Sequence, residues 1–241
     1  MERENGANRL KEWFVDRGIT HVLFDMDGTL VDTRDHYRSR MHQYCDFLAK
    51  ESGRDGAEIF DLFMDGIVSL RDEFQVRPAV LDVPARVLAK MCGVNGNELE
   101  EEIDKLMAIF EWSPEVLAEA VNQVRLVRDA GVDTVVVTHA GEDWTWKKRM
   151  DFVGLFKAWV CTRTDRPKDV VAWLGAVTDL DTSLNEVMVV GDGWESDIEP
   201  ALEMGVRIVV WVRNGAEPRN DDRVIEIETI ADLVDGLLQD R

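Results

Sequence analysis

Apolar residues fall along this chain in three patterns. The first is a single short run. Residues 20–25, Thr-His-Val-Leu-Phe-Asp, are mostly apolar, end in a carboxylate and are soon followed by Gly28. That predicts a buried strand opening into a loop. The second pattern occupies residues 33–112. Apolar side chains recur there at helical spacing, as Tyr37, Met41, Tyr44 and Leu48, then Ile59, Phe63, Met64 and Ile67. Val80, Val83, Val87, Leu88 and Met91 continue the series, and Leu99, Ile103, Leu106 and Phe110 end it. Breaks fall at residues 53–56, 75–78 and 93–97. Four amphipathic helices in succession, with no strand between them, predict a small bundle.

The third pattern begins at Ser113. Ser113 and Pro114 fit a helix cap and first helical position, for a helix running to Ala130 and stopped by Gly131. Strands are then expected at 132–138, 158–162, 186–190 and 206–212, and helices at 142–151, 167–179, 195–204 and 229–238. Strands that are apolar throughout and separated by helices pair in parallel, with both faces covered. The expected fold is therefore α/β, a doubly wound parallel sheet built from residues 1–32 and 113–241, with an all-helical cap inserted at 33–112.

Doubly wound sheets present ligands at the carboxyl ends of their strands. The residues expected there are Asp25 and Asp27, Thr138, the segment from Arg163 to Lys168, and Asp192 with Asp197. Carboxylates hold Mg²⁺, while hydroxyls and cations spread over phosphoryl oxygens, so this set suits phosphoryl transfer. The most specific string is DMDGTLVDT at 25–33. A D-x-D-G-T sequence arises by chance at roughly one position in 10⁵.

This segment resembles the first motif of the haloacid dehalogenase-like hydrolase superfamily. VVVTHA resembles the second motif, ending in Thr138; DRPKD resembles the third, with Lys168 as its cation; GDGWESDI resembles the fourth, with Asp192 and Asp197. The helical insert is similar to the cap of the branch that holds phosphoglycolate phosphatase and beta-phosphoglucomutase. The resemblance implies that Asp25 attacks phosphorus and becomes an aspartyl-phosphate, while Asp27 acts as acid and base. It also implies that Thr138 and Lys168 hold the phosphoryl group. Mg²⁺ would be bound by Asp25, Asp192, Asp197 and the backbone carbonyl of Asp27. The implied activity is hydrolysis of a small phosphorylated metabolite beneath a closing cap. A phosphomutase and a catalytically silent binding member are the alternatives. A haloacid dehalogenase is disfavoured, because halide displacement does not need the acid/base that Asp27 supplies.

Three positions depart from the usual pattern. His139 follows Thr138 where a small or amide residue is commoner. Arg166 competes with Lys168 for the cationic role. Gly193 replaces a common Ser or Thr beside the bulky Trp194. Trp144 and Trp146 are expected to pack against the core, and Asp32 to mark a hinge. His36 and His42 are six apart on a helix, which does not share a face and argues against a metal site.

Composition narrows the partners. With 28 basic and 48 acidic residues the net charge is −20, which disfavours nucleic acid and anionic membranes. Only eight of the basic residues are Lys, a balance suited to a high-salt cytoplasm. Cys45, Cys92 and Cys161 form no CxxC pair and are expected to be reduced thiols. No apolar run approaches the ~18 residues of a membrane span, and the first residues lack a secretory signal. A cytoplasmic monomer or homodimer is the expectation.

Overall fold

The computed structural model describes residues 2–72, 81–111, 114–140, 149–162 and 168–240. The chain divides into two compact units, one of Met1–Asp32 with Pro114–Arg241, the other of Thr33–Ser113.

The first unit is built on a six-stranded parallel sheet. Its strands are β1 (His21–Phe24), β4 (Asp133–Thr138), β5 (Ala158–Cys161), β6 (Val187–Gly191), β7 (Ile208–Val212) and β8 (Val224–Ile227). Their order is β5-β4-β1-β6-β7-β8. β1 is central, with Phe24 level with Val136 on one side and Val190 on the other. Chain order therefore reverses between β1 and β6, the place where doubly wound sheets open a crevice. Val22, Phe24 and Val136 pack on one face with Leu10, Trp13 and Phe14 of α1 (Glu2–Arg17) and with Val124 and Val127. Leu23, Val135, Val137 and Val189 pack on the other with Trp173 and Trp211. Burial on both faces is why these strands read as unbroken apolar runs.

The second unit contains α2 (Arg34–Ser52), α3 (Gly56–Asp72), α4 (Asp82–Met91) and α5 (Asn97–Met107), the four helices expected from the periodicity. Its core gathers Tyr44, Leu48, Ile59, Phe63, Leu88, Ile103 and Leu106. The Tyr44 phenol donates to the Ala85 carbonyl at 2.7 Å. Burial pushes the Cys45 thiol up to about 12, so it stays protonated and inert. His42 stacks on Phe60 at 3.8 Å, a packing role.

Some expectations are corrected. The helix predicted from Ser113 begins only at α6 (Ala120–Asp129). Before it, β3 (Glu115–Val116) pairs antiparallel with β2 (Val31–Asp32), which places Asp32 opposite Glu115. That pairing overrides the Ser-Pro cap signal. The helix predicted from Pro167 is α7 (Val170–Asp179), capped by Asp169, whose carboxylate accepts from the Val171 and Ala172 amides at 3.0 and 3.1 Å. The helix expected at 195–204 opens as a wide turn over Trp194–Ile198 and becomes α8 only at Glu199–Met204. The last helix, α9, is Leu233–Gln239.

On α4 the inward face differs from the predicted one. Val83, Val87 and Met91 are exposed, while Pro84, Ala85, Leu88 and Ala89 are buried. Two apolar stripes lie side by side on that helix, and the one with small residues permits closer helix packing. Val80, Trp144, Trp146 and Arg166 lie outside the described residues. No helix among the described residues is long and apolar enough to cross a membrane.

Candidate active site

The candidate residues meet at the carboxyl end of the sheet, around the switch between β1 and β6. Asp25 follows β1 directly, and its amide donates to Val190 O at 2.9 Å, extending the ladder by one residue. Its carboxylate thus leaves the edge of a rigid strand. Asp192 follows β6 in the same way. Asp25, Asp192 and Asp197 each offer an oxygen, and these oxygens lie within 4.8 Å of one another. Asp25 and Asp197 are buried, at 6% and 1% exposure.

Lys168 lies 4% exposed among these acids. Its ammonium is paired with Asp25 Oδ1 and with Asp197 Oδ1, the latter at 2.7 Å. Burial opposes its charge, but Asp197 and Asp25 outweigh that and hold the ammonium above the ordinary lysine range. Asp197 is pushed up to about 6, first by burial and then by the Asp25 charge, against the pull of Lys168. Three carboxylates and one ammonium carry a formal charge of about −2 when all are ionised. A hard dication with oxygen ligands is what such a set fits. Arg166, the other cation considered, lies outside the described residues, whereas Lys168 is in contact with Asp25.

Asp27 and Thr138 form a second pair. Thr138 ends β4, is fully buried and directs its hydroxyl to Asp27 Oδ2 at 3.4 Å, while accepting from the Ala140 amide at 3.1 Å. His139 faces the Thr162 hydroxyl through Nδ1 at 3.2 Å. The structure therefore brings Asp25, Lys168, Asp192 and Asp197 into one cluster and sets Thr138 beside Asp27.

Sequence reasoning assigns no role to several residues that shape this site. Thr29 is fully buried, with its hydroxyl 3.2 Å from Asp25 Oδ2 and 3.3 Å from Asp192 Oδ1. It has one proton to give, so it serves one carboxylate at a time. Its place in the D-x-D-G-T string is the available signal. Asn214, in a left-handed conformation at φ 48, donates to Gly28 O at 2.6 Å and ties the loop after β1 to the end of β7. Trp194 meets Trp211 edge to face, with centroids 5.0 Å apart.

Glycines let the loops of this site approach one another closely, as at Gly28 and Gly193. At Gly28 (φ +89) a Cβ would lie 2.3 Å from Asp192 Oδ2. At Gly193 it would lie 2.1 Å from Ser196 Oγ and 2.9 Å from Asp197 Oδ2, so a side chain there would push on the acid-bearing loop. Gly28→Ala should displace Asp192 and lower stability by about 1–3 kcal/mol. Chemical denaturation with and without Mg²⁺ checks this, with the larger deficit expected when Mg²⁺ is present.

Residues 19–205 match the family of haloacid dehalogenase-like hydrolases. No curated protein sequence matches the chain. Among solved structures, a haloacid dehalogenase-like family hydrolase from Xanthomonas campestris aligns with TM-score 0.72 and 16% identity, covering 91% of this chain and 94% of that one. The 2-haloacid dehalogenase from Pseudomonas syringae pv. Tomato DC3000 aligns with TM-score 0.62 and 19% identity, covering 92% and 99%. A HAD phosphatase from Thermococcus onnurineus aligns with TM-score 0.60 and 22% identity, covering 89% and 96%. At these identities the likeness speaks to the fold, which dehalogenases and phosphatases share.

Proposed function

Because the chain belongs to the haloacid dehalogenase-like hydrolases, we propose that it is a Mg²⁺-dependent phosphatase acting on a small phosphorylated metabolite. The observation that carries this reading is the convergence of the Asp25, Asp192 and Asp197 carboxylates, with oxygens within 4.8 Å of one another and one ammonium shared by Asp25 and Asp197. A phosphate ester brings further negative charge to that cluster, and only a dication makes the approach favourable. A 2-haloacid brings a single negative charge, so halide displacement makes a smaller demand on a cation than a phosphate ester does.

Lys168 engages Asp25 Oδ1, which leaves Oδ2, contacted by Thr29 at 3.2 Å, as the attacking oxygen. Oδ2 forms a bond to phosphorus as the ester P–O bond breaks, and Asp27 gives its proton to the departing alcohol oxygen. Asp27, now a carboxylate, takes a proton from the water that attacks the aspartyl-phosphate. Inorganic phosphate leaves and Asp25 is restored. Thr138 and Lys168 hold phosphoryl oxygens through both steps. Mg²⁺, held by Asp25, Asp192, Asp197 and the Asp27 carbonyl, would supply charge withdrawal from the phosphoryl group. The same reading places the enzyme in the cytoplasm as a monomer or homodimer.

The test is phosphate release from a panel of phosphorylated metabolites, with Mg²⁺ and with EDTA, alongside halide release from 2-haloacids. Mg²⁺-dependent phosphate release without halide release is the expected result. Halide release without phosphate release would replace the phosphatase with a dehalogenase. Conversion of one sugar phosphate to its isomer, with no free phosphate, would replace it with a mutase.

Metal binding should depend on pH. A cation must displace the proton from Asp197, whose folded value is about 6. Mg²⁺ affinity should therefore rise up to about pH 6 and level off above it, as titration calorimetry would read. In EDTA the sign for stability is opposite. Asp197 is held above its ordinary value of 3.8, so its contribution is full below that pH and is lost as pH rises through about 6.

A further inference from the structure

The loop carrying Asp192 and Asp197 is held by two indoles from two different elements. Trp211, in β7, donates its Nε1–H to the backbone carbonyl of Asp192 at 2.9 Å. Trp173, in α7, donates to the carbonyl of Ser196 at 2.8 Å, one residue before Asp197. Both side chains are buried, at 4% and 0% exposure. The Trp173 ring also lies under the Lys168 ammonium, 4.6 Å from centroid to Nζ. Trp194 of the loop itself packs on Trp211, and the Arg219 guanidinium covers Trp194 at 4.2 Å.

We propose that Trp173 and Trp211 are positioning residues for Mg²⁺, acting through the loop carbonyls to hold Asp192 and Asp197 in their converging arrangement. The inference rests on the reading that this cluster binds Mg²⁺.

The loop is irregular. The amides of Asp197 and Ile198 both return to Gly193 O, at 2.8 and 3.3 Å, a turn wider than an α-helical one. An indole N–H is a donor only, so each Trp serves a backbone carbonyl without taking up a carboxylate oxygen. A carbonyl shielded from water and deprived of its donor is left unsatisfied, which gives the loop a strong reason to keep these two bonds. Mutual repulsion drives the three carboxylates apart, and anchors at both ends of the loop oppose that spreading. Trp173 adds a cation–π contact that places Lys168 between Asp25 and Asp197. One indole thus sets the ammonium together with the acid it neutralises.

Mg²⁺ binding measured by titration calorimetry, without substrate, tests the proposal. Trp211→Phe and Trp173→Phe should each bind Mg²⁺ about 10–100-fold more weakly than wild type. Trp13→Phe, on the opposite face of the sheet, should bind as wild type. Phe is smaller than Trp, so a second variant separates the donor from the packing. Benzothienylalanine placed at position 211 keeps the ring shape and lacks the N–H, and it should lose as much affinity as Trp211→Phe. Wild-type affinity in that variant, or in both Phe variants, would overturn the proposal and leave the phosphatase reading intact. A wild-type protein that binds no Mg²⁺ would overturn both.

Discussion

Asp25→Asn is expected to abolish phosphate release, by at least about 10³-fold in kcat, while leaving the metal-free protein as stable as wild type or more so. The two halves of this result have one cause. In the proposed mechanism Asp25 is the nucleophile, and a neutral amide cannot take its place. The same carboxylate is a source of strain when no metal is present, because its charge is the second cause of the raised Asp197 value. Removing it lowers the formal charge of the cluster from about −2 to about −1, with Lys168 still paired to Asp197 at 2.7 Å. Activity should therefore fall while the melting temperature in EDTA holds or rises, a trade expected where function requires crowded charge. Steady-state kinetics and thermal melts on one preparation read both. Turnover that persists in Asp25→Asn would mean another residue attacks phosphorus.

Lys168→Met should have the largest effect on stability. The ammonium is 4% exposed and paired with two buried acids. Removing one partner from a buried ion pair costs about 3–5 kcal/mol, since the remaining charges lose their compensation without regaining water. Methionine fills much of the volume, so the loss is electrostatic rather than a cavity. That makes the deficit pH-dependent. Asp197, already pushed up to about 6, can relieve it by taking up a proton, so it should be greatest near neutral pH and shrink towards about pH 5. Saturating Mg²⁺ should restore part of the stability by supplying charge from outside the chain. Turnover should stay lost, because in the proposed mechanism Lys168 holds the phosphoryl oxygens. Urea melts across pH, with and without Mg²⁺, check this. A deficit that did not vary with pH would mean that Lys168 acts mainly through packing.

Much of this site can be read along the chain because of where a doubly wound sheet places its ligands. Each core strand is a short apolar run, and the first polar residue after it is carried to the same edge. Asp25, Thr138 and Asp192 follow from that rule alone. The four helices of the second unit are legible because their apolar spacing is long and regular. The two-residue strands β2 and β3 carry no periodicity to detect, and their pairing displaces a helix start that Ser113 and Pro114 signal. β8 escapes detection because Glu226 interrupts a short strand at the sheet edge. α1 carries Leu10, Trp13 and Phe14 only in its second half.

Other features depend on three dimensions. Thr29 reaches an acid 163 residues away. Trp194 has no evident place along the chain, and gains one only beside Trp211. The face that α4 buries is chosen by how closely its neighbours can approach, which spacing alone does not record.

Transfer of the phosphoryl group to Asp25 can be read directly from the trapped enzyme. The purified enzyme would be mixed with Mg²⁺ and p-nitrophenyl phosphate, quenched in acid during turnover and mapped by peptide mass. One added phosphoryl group is expected on the peptide containing Asp25, absent in EDTA and in Asp25→Asn. Turnover with Asp25 unmodified and the phosphoryl group on another residue would contradict it.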